Sequence, residues 1–246
     1  MADFRNYQNR AQSGAQSGAM IDEGLRAYML KVYNLMALGL AITGVAAYLS
    51  FTLAFANGQI TTFGQAIYLS PLKWVVIFAP LAMVFFLSFR INSMSVAAAQ
   101  ATFWAYAGLV GLSLAVIFLV YTQTSIVRTF FITATAFGAL SLYGYTTKRD
   151  LTAMGSFLIM GVFGIIIASL VNIFLRSSGL DWIISVIGVI VFAGLTAWDT
   201  QKIKEMYSPM DDGTVAGRKA VMGALSLYLD FINLFLMLLR LFGDRR

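Results

Sequence analysis

The chain has 246 residues, 59% of them hydrophobic and only 11% charged, with a mean hydropathy of +0.79. A soluble domain is about 25% charged, and no water-soluble fold could hide this much apolar surface, so the class is integral membrane. The apolar runs are long and do not alternate, which points to helices rather than a barrel. The net charge of +6 is spread over helix ends, with no basic patch interleaved with aromatics, so nucleic acid is excluded as a partner and the bilayer is the expected one.

Residues 1–28 are polar and hold a short repeat, "AQSGAQSG" at 11–18, which reads as a flexible cytoplasmic tail ahead of a membrane domain over 29–246. The first apolar run is too long for the core of a cleavable signal, about 7–15 residues. Seven segments are long enough to span at about 20 residues each. Their limits are 29–55, 72–91, 97–120, 127–146, 152–175, 181–203 and 219–242. The expected fold is an all-α, seven-helix transmembrane bundle.

The distribution of Lys and Arg orients it. With the N-terminus in the cytoplasm, inside segments hold eleven basic residues and outside loops three, Lys73, Arg128 and Arg176. The C-terminal arginines 240, 245 and 246 fit less well, since a seventh full crossing puts them outside. A re-entrant last segment would bring them back. The glycines of "GLVG" at 108–111 and "GVFG" at 161–164 read as close-packing points between helices.

Nine of the eleven acids fall in tails, loops or helix ends, where solvation explains them. Asp199, in "GLTAWDTQKIKEMY", and Asp230, in "LSLYLDFINLF", lie within the sixth and seventh segments. An acid at membrane depth costs about 2.5–3.5 kcal/mol on insertion scales and usually faces a bundle interior with a partner. The plainer reading is a static hydrogen-bonded acid that locks two helices. The alternative is a pair. Two carboxylates in low dielectric cannot both stay ionised cheaply, so such a pair shares a proton. The chain has no His and no Cys, so it lacks the usual pH switch, the commonest metal ligand and any disulfide. A carboxylate pair is then the natural pH sensor. It also suits Ca²⁺, which takes hard oxygen ligands, and Asn233 lies one turn past Asp230 on the same face.

Arg90 ends the second segment in "FFLSFRINSMS". It reads as an interfacial anchor, or as a latch that reaches inward to an aspartate. Asn172 and Gln100 read as buried interhelical glue. No nucleotide-binding glycine loop, metal-hydrolase cluster or activated nucleophile is present, so an enzyme is not expected, and no cofactor is required beyond Ca²⁺ as a bound or transported ion.

Three stretches resemble the Bax inhibitor-1 (TMBIM) family and its bacterial inner-membrane branch: "LSLYGYTTKRDL" at 140–151, "GVIVFAGLTAWDTQKIK" at 188–204 and "GALSLYLDFINLFLMLLRLFG" at 223–243. The likeness runs from about residue 25 to the C-terminus. It implies a bundle with the last helix at its centre and a pH-sensitive Ca²⁺ leak in the inner membrane. The family's two sensing aspartates match Asp199 and Asp230, and its second-helix arginine falls at Arg90 by position. Trp198 stands where the family signature usually has tyrosine. Two further readings remain. One is a partner that modulates a membrane protease, through the tail or the loop 207–219. The other is an intramembrane aspartyl protease, against which the bulky "LYL" before Asp230 argues.

Overall fold

Seven long helices carry the computed structural model, which describes residues 22–246 with the exception of Asn57. They are α1 (Asp22–Ala54), α2 (Leu72–Ser93), α3 (Val96–Val120), α4 (Gln123–Thr146), α5 (Thr152–Leu175), α6 (Ser178–Glu205) and α7 (Gly213–Phe242). Each is long and apolar enough to cross a bilayer, which agrees with the all-α class read from the sequence. The expected polar tail lies outside the described residues up to 21, and residues 22–28 are already helical.

Polar caps set the ends and carry several helices beyond their apolar runs. The Asp212 carboxylate accepts from the backbone N–H groups of Thr214 and Val215, so α7 starts at Gly213, six residues before its apolar stretch. Thr122 caps α4 and Ser177 caps α6 in the same way. Hydropathy alone misses these polar first turns.

α7 is the axis. Two thirds of its most apolar window (67%) is buried inside the protein, against 11% for α5 and 17% for α2. It packs against α1, α3, α4 and α6, while α2 lies outside on α3 and α5 outside on α6. The reason is in the side chains: α5 and α2 are apolar all round, fit for lipid, whereas α7 carries the polar residues that must face protein. Its Tyr228 hydroxyl donates to Thr43 Oγ1 of α1 at 2.6 Å, and Thr43 passes its own proton to a backbone carbonyl, that of Ala107 on α3 at 2.9 Å or its own helix's Gly39 at 3.0 Å. A second run of hydroxyls ties α1, α4 and α6: Tyr33 to Ser141 at 2.6 Å and Ser141 to Thr200 at 2.9 Å, with Thr200 donating to the Thr196 carbonyl.

Half of each glycine pair packs as expected. A side chain at Gly111 would strike the backbone of Thr43 and one at Gly161 would press on Val191, but Gly108 and Gly164 face open space. The close approach that matters most lies elsewhere, at Gly144, where α4 rests directly on the Ala197 carbonyl of α6.

The C-terminal tail settles which end of the bundle it occupies. Asp244 N–H donates to Ser125 Oγ, Arg246 N–H to the Val120 carbonyl, and Thr122 N–H to the Asp244 carbonyl. Arg240 and Arg245 reach Asp181 at 3.6 and 3.9 Å. The tail therefore sits with the α3–α4 and α5–α6 links, and α7 is a full crossing rather than a re-entrant segment. Asp181 and Asp244, the latter paired with Arg128 at 3.2 Å, offset part of the basic charge that argued against this.

Candidate functional site

The two intramembrane aspartates lie on helices that pack against each other, near enough for each carboxyl to act on the other. Asp230 is 4% exposed at the middle of α7, and Asp199 is half-buried six residues before the end of α6. Their carboxyl groups lie within hydrogen-bonding reach of one another. A carboxylate has no proton to donate, so a hydrogen bond between them uses a proton on one of the two. Asp230 Oδ2 has no hydrogen-bond partner among the described residues.

Helix register brings Asp199 and Asp230 to within about one turn of each other in depth. α6 runs on past the apolar stretch to Glu205, and α7 begins with polar turns around Arg218 and Lys219. Gly223 of α7 lies against Ile203 of α6, so one turn further in along α6 reaches Asp199 and about two turns further along α7 reaches Asp230. Gly155 of α5 receives the Trp198 ring, which holds that side chain outward and leaves its neighbour Asp199 turned to the core. Lys202, one turn after Asp199, lies over the Trp198 ring at 4.8 Å, and its charge acts on Asp199. The spacing of acid and lysine at i and i+3 is the sequence signal for this cation.

The other candidates lie apart. Arg90 is exposed at the end of the peripheral α2 and is in no ion pair among the described residues. The Arg218 guanidinium donates to the Met94 carbonyl, which pins the α2–α3 link to the start of α7. Asp230 is twelve residues further on, about 18 Å along the helix, more than an arginine spans. Arg90 forms no ion pair with either aspartate among the described residues. Asn172 is not interhelical glue: its Oδ1 accepts from Ser177 N–H and closes the end of α5. Asn233 is half-buried, and its amide donates to the Leu229 carbonyl of its own helix. Gln100 lines a shallow cavity with Lys31 and Asn34. The buried amide the sequence did not single out is Gln201, which accepts from Leu151 N–H and donates to the Arg149 carbonyl, fixing the α4–α5 link.

Among the described residues no three acidic, His or Cys side chains cluster as a metal site would require. Two carboxyls fall short of the six to eight oxygens of a resident Ca²⁺ centre.

Whole-chain comparisons place the protein in a family. The family model described as "Inhibitor of apoptosis-promoting Bax1" matches residues 25–246. The chain belongs to the Bax inhibitor-1 family. Within that family it is 52% identical to the Rickettsia prowazekii protein RP147 over 231 residues, 92% of each chain. It is 48% identical to the inner membrane protein YbhL of Escherichia coli over 225 residues, 91% of this chain and 94% of YbhL. A Caulobacter vibrioides relative matches end to end at 44%. The Bax inhibitor-1 resemblance read from three short stretches thus extends over nearly the whole chain.

Proposed function

We propose that this protein is a pH-sensitive cation leak of the bacterial inner membrane, with Asp199 and Asp230 as the sensing and ion-binding pair and Ca²⁺ as the cation they fit best. The observation that carries the reading is the pair itself: two carboxyls in hydrogen-bonding reach at the core of a seven-helix bundle, one with an unpartnered oxygen. With a proton between them they hold α6 and α7 together. Without it, two like charges face each other in low dielectric, and a divalent cation relieves the repulsion. The site alternates between closing the bundle and receiving a cation as the proton comes and goes. Hard oxygen donors favour Ca²⁺ over softer metals. The membrane is assigned by likeness to YbhL, an inner membrane protein, and the cytoplasmic N-terminus by the excess of Lys and Arg on that end.

The test is Ca²⁺ flux into dye-loaded proteoliposomes as a function of pH. Asp230→Asn should flatten the pH dependence, since the amide neither shares the proton nor attracts the cation. An unchanged profile in that variant would defeat the reading.

A further inference from the structure

The pair occupies only the inner half of the bundle. Asp199 is half-buried near the end of α6, so the pair lies nearer that end of the bundle. From Asp230 to the end carrying the C-terminus, most side chains of α7 are apolar and buried: Phe231, Leu234, Phe235, Leu238 and Leu239. An ion or proton leaving Asp230 outward needs oxygen atoms on some other helix.

α4 supplies them. Ser125, Thr129 and Thr133 recur every four residues and are 0%, 1% and 0% exposed, so one helical face presents a file of hydroxyls to the interior. This face packs against α6 and α7. Its inner end is at the depth of the pair: Phe231, next to Asp230, lies between Phe130 and Phe137 of α4, with ring centroids 5.4 and 5.5 Å away, and Thr133 is on the turn between them. Its outer end is at the surface, where Ser125 Oγ accepts from Asp244 N–H of the tail. Thr133 donates to the Thr129 carbonyl, but Thr129 Oγ1 has no partner among the described residues. A buried hydroxyl left unmade is costly, and its neighbours along the file are polar. Ser125 and Thr133 have partners within the protein, so Thr129 Oγ1 is the hydroxyl of the file that a bound water would complete.

We propose that Ser125, Thr129 and Thr133 line the outer half of the permeation route, with water bound at Thr129 and Thr133 carrying the cation between Asp230 and the end of the bundle that holds the C-terminus. This rests on the cation-leak reading for the nature of what passes, but not for the wetting itself. The route is then asymmetric: carboxylates grip the cation in the inner half, and neutral hydroxyls release it in the outer half.

Two measurements on the full chain in proteoliposomes test it. Thr129→Val and Thr133→Val keep the shape and remove the hydroxyl. Each should lower Ca²⁺ flux roughly fivefold, the loss of about one hydrogen bond to the passing water or ion, while the pH at which flux changes stays put. Independently, the chain has no cysteine, so Thr129→Cys offers a single thiol. A small membrane-impermeant methanethiosulfonate should modify it under the conditions of greatest flux, and should not modify Ala107→Cys, buried between α1 and α3. If Asp230→Asn alters flux while both valine variants match the parent and the Thr129→Cys thiol stays unreactive, the hydroxyl route is overturned and the leak stands. If the parent shows no flux, thiol reactivity alone decides: modification sustains a wet file without a leak, and protection refutes it.

Discussion

At the scale of single residues, most buried polar groups here have an identifiable task, and two of the four without a partner among the described residues, Asp230 Oδ2 and Thr129 Oγ1, belong to the pair and to the α4 file. Tyr228 sits in the core against Phe103 and Tyr106 and spends its hydroxyl on Thr43. Tyr228→Phe leaves Thr43 its backbone carbonyl acceptors, so the loss should be small, about 0.5–1.5 kcal/mol, read as a lowered melting temperature in detergent with flux retained. Asp150 shows how an acid outside the membrane behaves differently from the pair. Its carboxyl is held below the ordinary carboxylate range, first by the Thr152 hydroxyl and then by the Thr152 N–H. A lowered value contributes stability above the unfolded value, roughly pH 4, and loses it only as pH falls further. Asp150→Asn should therefore leave the flux profile near neutrality unchanged, which separates loop titration from the response of the pair. Asp199 and Asp230 were both legible as residues, because an acid in an apolar helix is conspicuous. The hydroxyls of α4 were not, because Ser and Thr are common in membrane helices and their facing is invisible in a linear reading.

At the scale of elements, where helices touch decides which small residues matter. Gly144 lies on the Ala197 carbonyl, two residues before Asp199. Gly144→Ala forces α4 and α6 apart against backbone that cannot move aside, and should cost about 1–3 kcal/mol as well as disturbing the pH dependence of flux. Gly164→Ala meets nothing within reach and should be neutral or slightly stabilising, since Ala favours helix by about 1 kcal/mol over Gly. Thermal melting of the two variants side by side checks the contrast. Sequence motifs nominated Gly108, Gly111, Gly161 and Gly164 alike; only their rotational position on the helix separates those that face protein from those that face lipid. Helix ends show a similar division. Apolar runs place the spans, whereas caps such as Asp212 and Thr122 fix where they begin.

For the molecule as a whole, the parity of crossings follows from the tail. The C-terminus shares an end with the α3–α4 and α5–α6 links, through Asp244 with Ser125 and Arg245 with Asp181. Single cysteines at Ser177 and at Arg246 should therefore be labelled from one side of the membrane by an impermeant reagent, and a cysteine at Ser208, in the α6–α7 link, from the other. Labelling of Arg246→Cys and Ser208→Cys from the same side would mean that α7 does not cross. The α6–α7 link is itself pinned, since Lys219 reaches Asp211 at 2.6 Å and the Met206 carbonyl at 2.9 Å.

Composition by itself determined that this chain lives in a membrane, and the spacing of its apolar runs determined seven helices, because burying backbone in hydrocarbon leaves a helix as the one local solution such runs can adopt. The lone acids in two late helices followed from the same solvation argument. The tertiary structure bears out the central last helix that the resemblance implied, and it alone decided how α6 and α7 lie against one another around Asp199 and Asp230 and that Arg90 stays on the rim. Those outcomes depend on which faces pack and in what register, and register is set by contacts between residues far apart in the chain, such as Gly144 with Ala197 and Gly223 with Ile203.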